Sequence, residues 1–171
     1  MSGLLQPRKI KWPKQHLRFE YPVDQRRHVL RFGQYGLKVL GSFDGRLELR
    51  LKATTLEAVK KVLVRKLRTT AGSRKGVKTW IRTFPDRPVT KFGAEQRMGK
   101  GKGSVDHYEC QVRRGHIFIE FNDAPRELIV SAYERAKAML PFRIKLVEKP
   151  RPTFYELKLP IPSIDRLRRK P

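Results

Sequence analysis

The chain has 171 residues, with 40 Lys and Arg against 16 Asp and Glu, a formal net charge of +24. A small soluble domain ordinarily carries about 2–8, so self-repulsion disfavours a compact state unless a polyanion neutralises it. Nucleic acid is the natural polyanion, because neutralised phosphates release counterions; an anionic membrane surface is the competing one. The length suits one domain with or without tails, and 9 Phe, 5 Tyr and 2 Trp are too many large apolar groups for a purely disordered basic segment. Cys110 is alone, which excludes an internal disulfide and a cysteine-based zinc set. No apolar run approaches the roughly eighteen residues of a membrane span, and the N-terminus lacks a signal-peptide pattern.

In chain order, residues 1–27 read as an extended basic arm, since Pro7, Pro13 and Pro22 rule out a long helix. Val29 to Phe32, Leu37 to Leu40 and Leu47 to Leu51 read as three short strands, with Asp44-Gly45 as a tight turn. Thr54-Thr55-Leu56-Glu57 has capping-box spacing, and Leu56, Val59, Leu63 and Leu67 then share a stripe that Lys60, Lys61, Arg65 and Arg68 avoid. This predicts an amphipathic helix ending before Gly72. Val77 to Phe84 reads as a strand closed by Pro85 and Pro88, and residues 89–104 as a long loop. Tyr108, Cys110 and Val112 alternate as a strand, Arg114-Gly115 turns, and Ile117, Ile119 and Phe121 form its expected partner.

Asn122 to Pro125 starts a second helix with Leu128, Ala132, Ala136, Met139 and Leu140 on its buried stripe. Phe142, Ile144 and Leu146 alternate as a last strand. The pattern then dissolves into a Pro-rich basic tail. The resulting organisation is an arm (1–27), an α+β domain (28–149) containing loop 89–104, and a tail (150–171). The fold class is a two-layer α+β sandwich, with two helices on one side of a mostly antiparallel sheet.

The segment Arg97-Met98-Gly99-Lys100-Gly101-Lys102-Gly103 carries the most chemistry. Glycine at every second position lets the backbone approach another surface and take positive φ, while Arg97, Lys100 and Lys102 suit phosphates. A flexible solvated loop is the plainer alternative; rigid strands at both ends favour contact. It is not a P-loop, because Gly93 and Gly99 enclose five residues and Gly101 follows Lys100. In the arm, Arg8, Lys9, Lys11, Lys14 and His16 surround Trp12, pairing cations for phosphates with a ring that can stack on a base, worth about 1–3 kcal/mol. Arg82, Arg87 and Lys91 extend the same surface, though each alone also reads as a solvated charge. Ser104, Asp106 and His107 make a poor triad, since Asp106 and His107 should point to opposite strand faces. Cys110 reads as a buried small hydrophobe, and His28, His107 and His116 have no metal-site spacing. No cofactor is indicated.

Four motifs, taken in order, resemble one family. They are Leu5-Gln6-Pro7-Arg8 with the basic run to His16, Phe32-Gly33-Gln34-Tyr35-Gly36-Leu37-Lys38, Trp80 to Thr90, and Arg97 to Gly103. Together they resemble the bacterial-type family of large-subunit ribosomal protein sixteen over roughly residues 4–149. The resemblance implies a hammerhead-type α+β fold at the base of the central protuberance, bound to large-subunit rRNA. It also implies support of the aminoacyl-tRNA site and peptidyl-transferase region, with Arg97 to Gly103 as the loop tip and Arg8 to His16 as the arm between rRNA and tRNA. Implied partners are rRNA, tRNA in the aminoacyl and peptidyl sites and neighbouring ribosomal proteins, without a homo-oligomer and without catalysis. The stretch 17–31 departs from the family's pattern, which sets tRNA contact by that part aside, and 42–53 is longer than usual. The added tail from Pro150 to Pro171 suggests an organellar, mitochondrial ribosome, with a bacterial cytoplasmic one as the alternative. An RNA-processing or RNA-modifying enzyme, and a peripheral membrane or DNA-binding protein using the basic helix, are the competing functions.

Overall fold

Apolar alternation places the first strands. In β1 (Tyr35–Ser42) Leu37 and Val39 are fully buried, and in β2 (Leu49–Lys52) Leu49 and Leu51 are buried while Arg50 and Lys52 face out, the period of a half-wet sheet. Helix α1 (Ala53–Thr70) follows without a linker. Its stripe of Leu56, Val59, Leu63 and Leu67 is buried as the spacing predicts, and Lys61, Arg65 and Arg68 are exposed. Each such buried side chain contributes about 1.5–3 kcal/mol. Strands β3 (Lys78–Ile81), β4 (Arg87–Lys91), β5 (Ser104–Val112) and β6 (Ile117–Asn122) come next, then helix α2 (Arg126–Met139) and strand β7 (Phe142–Glu148). This computed structural model describes residues 5–16, 23–24, 27–43, 45, 49–70, 77–95, 97 and 99–150. The tail from 151 and residues 17–22 of the arm lie outside them.

The strands form two antiparallel sheets rather than one: β3-β6-β1-β7 and β2-β5-β4. Helix α1 lies against α2 and also touches β2 and β5, while α2 touches β7, where the Tyr133 hydroxyl donates to the Ile144 carbonyl at 3.1 Å. The core runs from Leu37 and Val39 through the α1 stripe to Ile129, Ala132 and Ala136 of α2. Phe118 and Phe142 meet in it edge to face at 5.9 Å.

Several sequence expectations change. Residues 29–32 are not a strand: their backbone turns toward a carboxylate on β6 (below) instead of entering a ladder. Helix α1 begins at Ala53, so Thr54 lies inside the first turn and not at the cap, and Glu57 pairs forward with Lys61 at 3.1 Å. Strand β3 ends at Ile81, ahead of Pro85, and a separate strand of the other sheet begins at Arg87. Pro88 sits within β4, which is tolerated because β4 is the edge strand beside β5. The glycine loop is thereby shortened to 92–103, the tip of the β4–β5 hairpin.

The expected pairing of β5 with β6 does not form. The turn at Arg114-Gly115 passes the chain from one sheet to the other, with Gly115 at φ 84° and its N–H donating to the Val39 carbonyl at 2.8 Å. The second helix buries Ile129, which the stripe omits, and Pro125 stands at its N-cap.

Candidate nucleic-acid interface

The β4–β5 hairpin presents the glycine loop. At its neck, a Cβ on Gly103 would lie 2.5 Å from the Lys91 carbonyl oxygen and 2.7 Å from its carbon, so the strands close there only around glycine. Gly99 and Gly101 adopt φ of 90° and 80°, with open space around them. Arg97, Lys100 and Lys102 are exposed at the tip, and Lys91 is exposed where β4 enters it. Met98 lies outside the described residues.

The N-terminal segment docks on this loop. Lys14 Nζ donates to the Lys102 carbonyl at 2.9 Å, and Lys102 Nζ returns bonds to the carbonyls of Lys14 at 3.3 Å and Gln15 at 3.1 Å. This reciprocal clasp joins the two basic motifs, which are 88 residues apart in sequence, into one surface. Arg8, Lys9, Lys11, Trp12, Lys14 and His16 are all exposed on it. Trp12 is 67% exposed, with Lys11 Nζ 5.7 Å from its ring centroid. The arrangement offers cations for phosphates and a ring for a base, with the Lys102 amine holding the arm.

Two of the sequence-derived cations stand differently. Arg87 is half-buried on β4 opposite Glu109. The Arg82 side chain is 9% exposed and forms a 2.6 Å ion pair with Glu120, and it also donates to the Val29 carbonyl at 2.7 Å. Its charge is neutralised inside the fold. Glu120 itself is fully buried and accepts backbone N–H bonds from Arg31, Phe32 and Gly33 at 3.2, 2.7 and 2.9 Å. Burial, the largest single influence, pushes its pKa up; the N–H groups of Gly33, Phe32 and Arg31 and the Arg82 guanidinium outweigh it and hold the carboxyl below its ordinary value. Sequence reasoning missed Glu120, and the signal was a lone carboxylate within the apolar run Ile117-Phe118-Ile119-Glu120-Phe121.

The catalytic alternatives lose their footing. Asp106 and His107 do meet, contrary to strict strand alternation, because a register shift opposite Val89 and Thr90 leaves Asp106 as a bulge. His107 Nδ1 is 2.7 Å from Asp106 and Nε2 is 3.0 Å from Glu109. The Asp106 hydrogen bond, aided by Glu109, raises the imidazole pKa despite partial burial. Both ring nitrogens are occupied by carboxylates, so neither is left to take a proton from Ser104. Burial drives the Cys110 thiol up to about 12, and its Sγ lies 3.4 Å from the Leu51 carbonyl, unsuited to a nucleophile. Among the described residues, no group of three or more His, Cys, Asp and Glu could hold a metal ion, and no helix is long and apolar enough to cross a membrane.

The sequence model of the ribosomal protein L16p/L10e family matches residues 7–147, more than half of the chain. The chain belongs to this family. It is 43% identical over 146 residues to large ribosomal subunit protein uL16 of Sulfurihydrogenibium sp. (strain YO3AOP1), covering 85% of this chain and 97% of that protein. It is 36% identical over 146 residues to the uL16 of Psychrobacter cryohalolentis, covering 85% and 98%. Family membership is ribosomal and structural, not enzymatic, and the matched span contains both clasped motifs and the Glu120 cluster.

Proposed function

We propose that this chain is a structural constituent of the large ribosomal subunit that binds large-subunit rRNA and contacts neighbouring ribosomal proteins. The finer reading is that the surface made by residues 8–16 and 97–103 faces the aminoacyl-tRNA site and the peptidyl-transferase region. The observation that carries it is the Lys14–Lys102 clasp, which turns two separate basic segments into one exposed face bearing Trp12. Arg8, Lys9, Lys11, Lys14, His16, Lys91, Arg97 and Lys100 supply its charge. Gly99, Gly101 and Gly103 shape the tip. Arg82 serves by holding Glu120.

The mitochondrial matrix is the proposed compartment, supported by the segment beyond residue 147 that the family model does not match. The bacterial cytoplasm is the alternative, since the uL16 relatives come from bacteria. Sedimentation of a tagged copy from its own cells tests the assignment. Co-migration with large subunits that persists at high salt is the expected result; a chain confined to free fractions rejects it. In the same cells, Arg97→Glu with Lys100→Glu should leave subunit association intact and lower aminoacyl-tRNA binding several-fold. Unchanged tRNA binding would reduce the loop to a solvated surface.

A further inference from the structure

Away from the clasped face, the least ordinary surface feature is an aromatic pair ahead of β1. Phe32 is 57% exposed, yet it stacks on Trp80 with ring centroids 6.0 Å apart and planes inclined by 23°. An exposed phenyl on a loose loop would mean little. This one is held: the N–H groups of Phe32 and of both its neighbours are bound by the buried Glu120 carboxylate, itself anchored by Arg82. Trp80 stands directly opposite Glu120 in the β3–β6 register, so the ring that supports Phe32 and the carboxylate that holds its backbone share one sheet face. Gly33 permits the arrangement, since a Cβ there would fall 2.2 Å from the Phe121 carbonyl oxygen.

We propose that Phe32 is a stacking platform for an unpaired base of large-subunit rRNA, a second contact distinct from the clasped face. The inference rests on the rRNA-binding reading above and adds a site and a ligand group to it. One face of the Phe32 ring is turned to Trp80, and the residue keeps more than half its surface in solvent. Stacking on a ring whose position is already fixed requires little further ordering, so most of the interaction is retained as affinity. The chain around it is cationic: Arg27, His28 and Arg31 are exposed, while the nearby Glu120 charge is neutralised by Arg82. That combination, a π face bordered by cations, fits a nucleotide's base and phosphate better than it fits an apolar protein surface.

Ultraviolet zero-length crosslinking of intact large subunits, followed by mass spectrometry of nuclease-trimmed peptides, tests the platform. The expected result is a nucleotide adduct on Phe32 that survives in Phe32→Trp and disappears in Phe32→Leu, which keeps apolar bulk without a π face. Purified Phe32→Leu should bind large-subunit rRNA about 5- to 150-fold more weakly, the range set by one stacked base, while Phe32→Trp binds as the parent does. Equal binding by Phe32→Leu, or no adduct on Phe32 while residues 8–16 and 97–103 carry adducts, overturns the proposal. Chemical crosslinks joining this segment to another ribosomal protein in place of rRNA overturn it as well. Failure of the ribosomal reading looks different: the parent chain would not sediment with large subunits at all.

Discussion

Glu120 shows how one residue can organise a surface that its neighbours in sequence do not suggest. An isolated buried carboxylate is costly, but this one receives three backbone N–H bonds and the Arg82 guanidinium. Glu120→Gln keeps the size and removes the charge, leaving Arg82 buried without its counter-ion and an amide NH2 facing donors. Such a half-broken buried pair costs about 3–5 kcal/mol, and urea denaturation should show a loss of that size. A change below about 1 kcal/mol would mean that the clamp on residues 31–33 is dispensable.

His116 makes a second prediction at this scale. It is 1% exposed, its Nε2 is buried with no hydrogen-bond partner among the described residues, and burial, reinforced by Arg27, pushes its pKa down to about 4 from 6.5. The unfolded chain therefore takes up a proton as pH falls below about 6.5, whereas the folded chain does so only near 4. Stability present above pH 6.5 should decline between 6.5 and 4 by about 3 kcal/mol. Denaturation across that window at constant salt measures it, and His116→Phe should remove this part of the slope.

Among the elements, the β4–β5 hairpin matters most for function. The glycine logic of its tip was legible in the residues: Gly99 and Gly101 take positive φ, and Gly103 admits a close backbone approach. Strand β4 was not legible, because proline argues against a strand unless the strand lies at an edge, and edge position is a property of the sheet. Likewise, Val29 to Phe32 has a strand's composition, but the N–H groups of Arg31 and Phe32, and of Gly33 after them, find a carboxylate on β6, 87 to 89 residues further on. Gly103→Ala would press a methyl into the Lys91 backbone, and we expect a loss of about 1–3 kcal/mol in thermal denaturation, together with faster amide exchange at the hairpin neck. Unchanged stability and exchange would show that the neck opens freely.

On the scale of the whole molecule, a charge of +24 favours a polyanionic partner, and the two sheets decide where that charge is displayed. The sequence by itself determined the α+β class, the amphipathic helix, the polyanionic partner and the family. Each of these depends on local periodicity, net composition or contiguous motifs, which need no knowledge of distant contacts. Only the tertiary structure decided that β5 and β6 belong to different sheets and that Arg82 neutralises Glu120. It alone placed the Lys14 and Lys102 motifs on one face and fixed Phe32 on Trp80. Those outcomes depend on pairings across 38 to 88 residues, where many partners are chemically equivalent and the closing of the core selects among them.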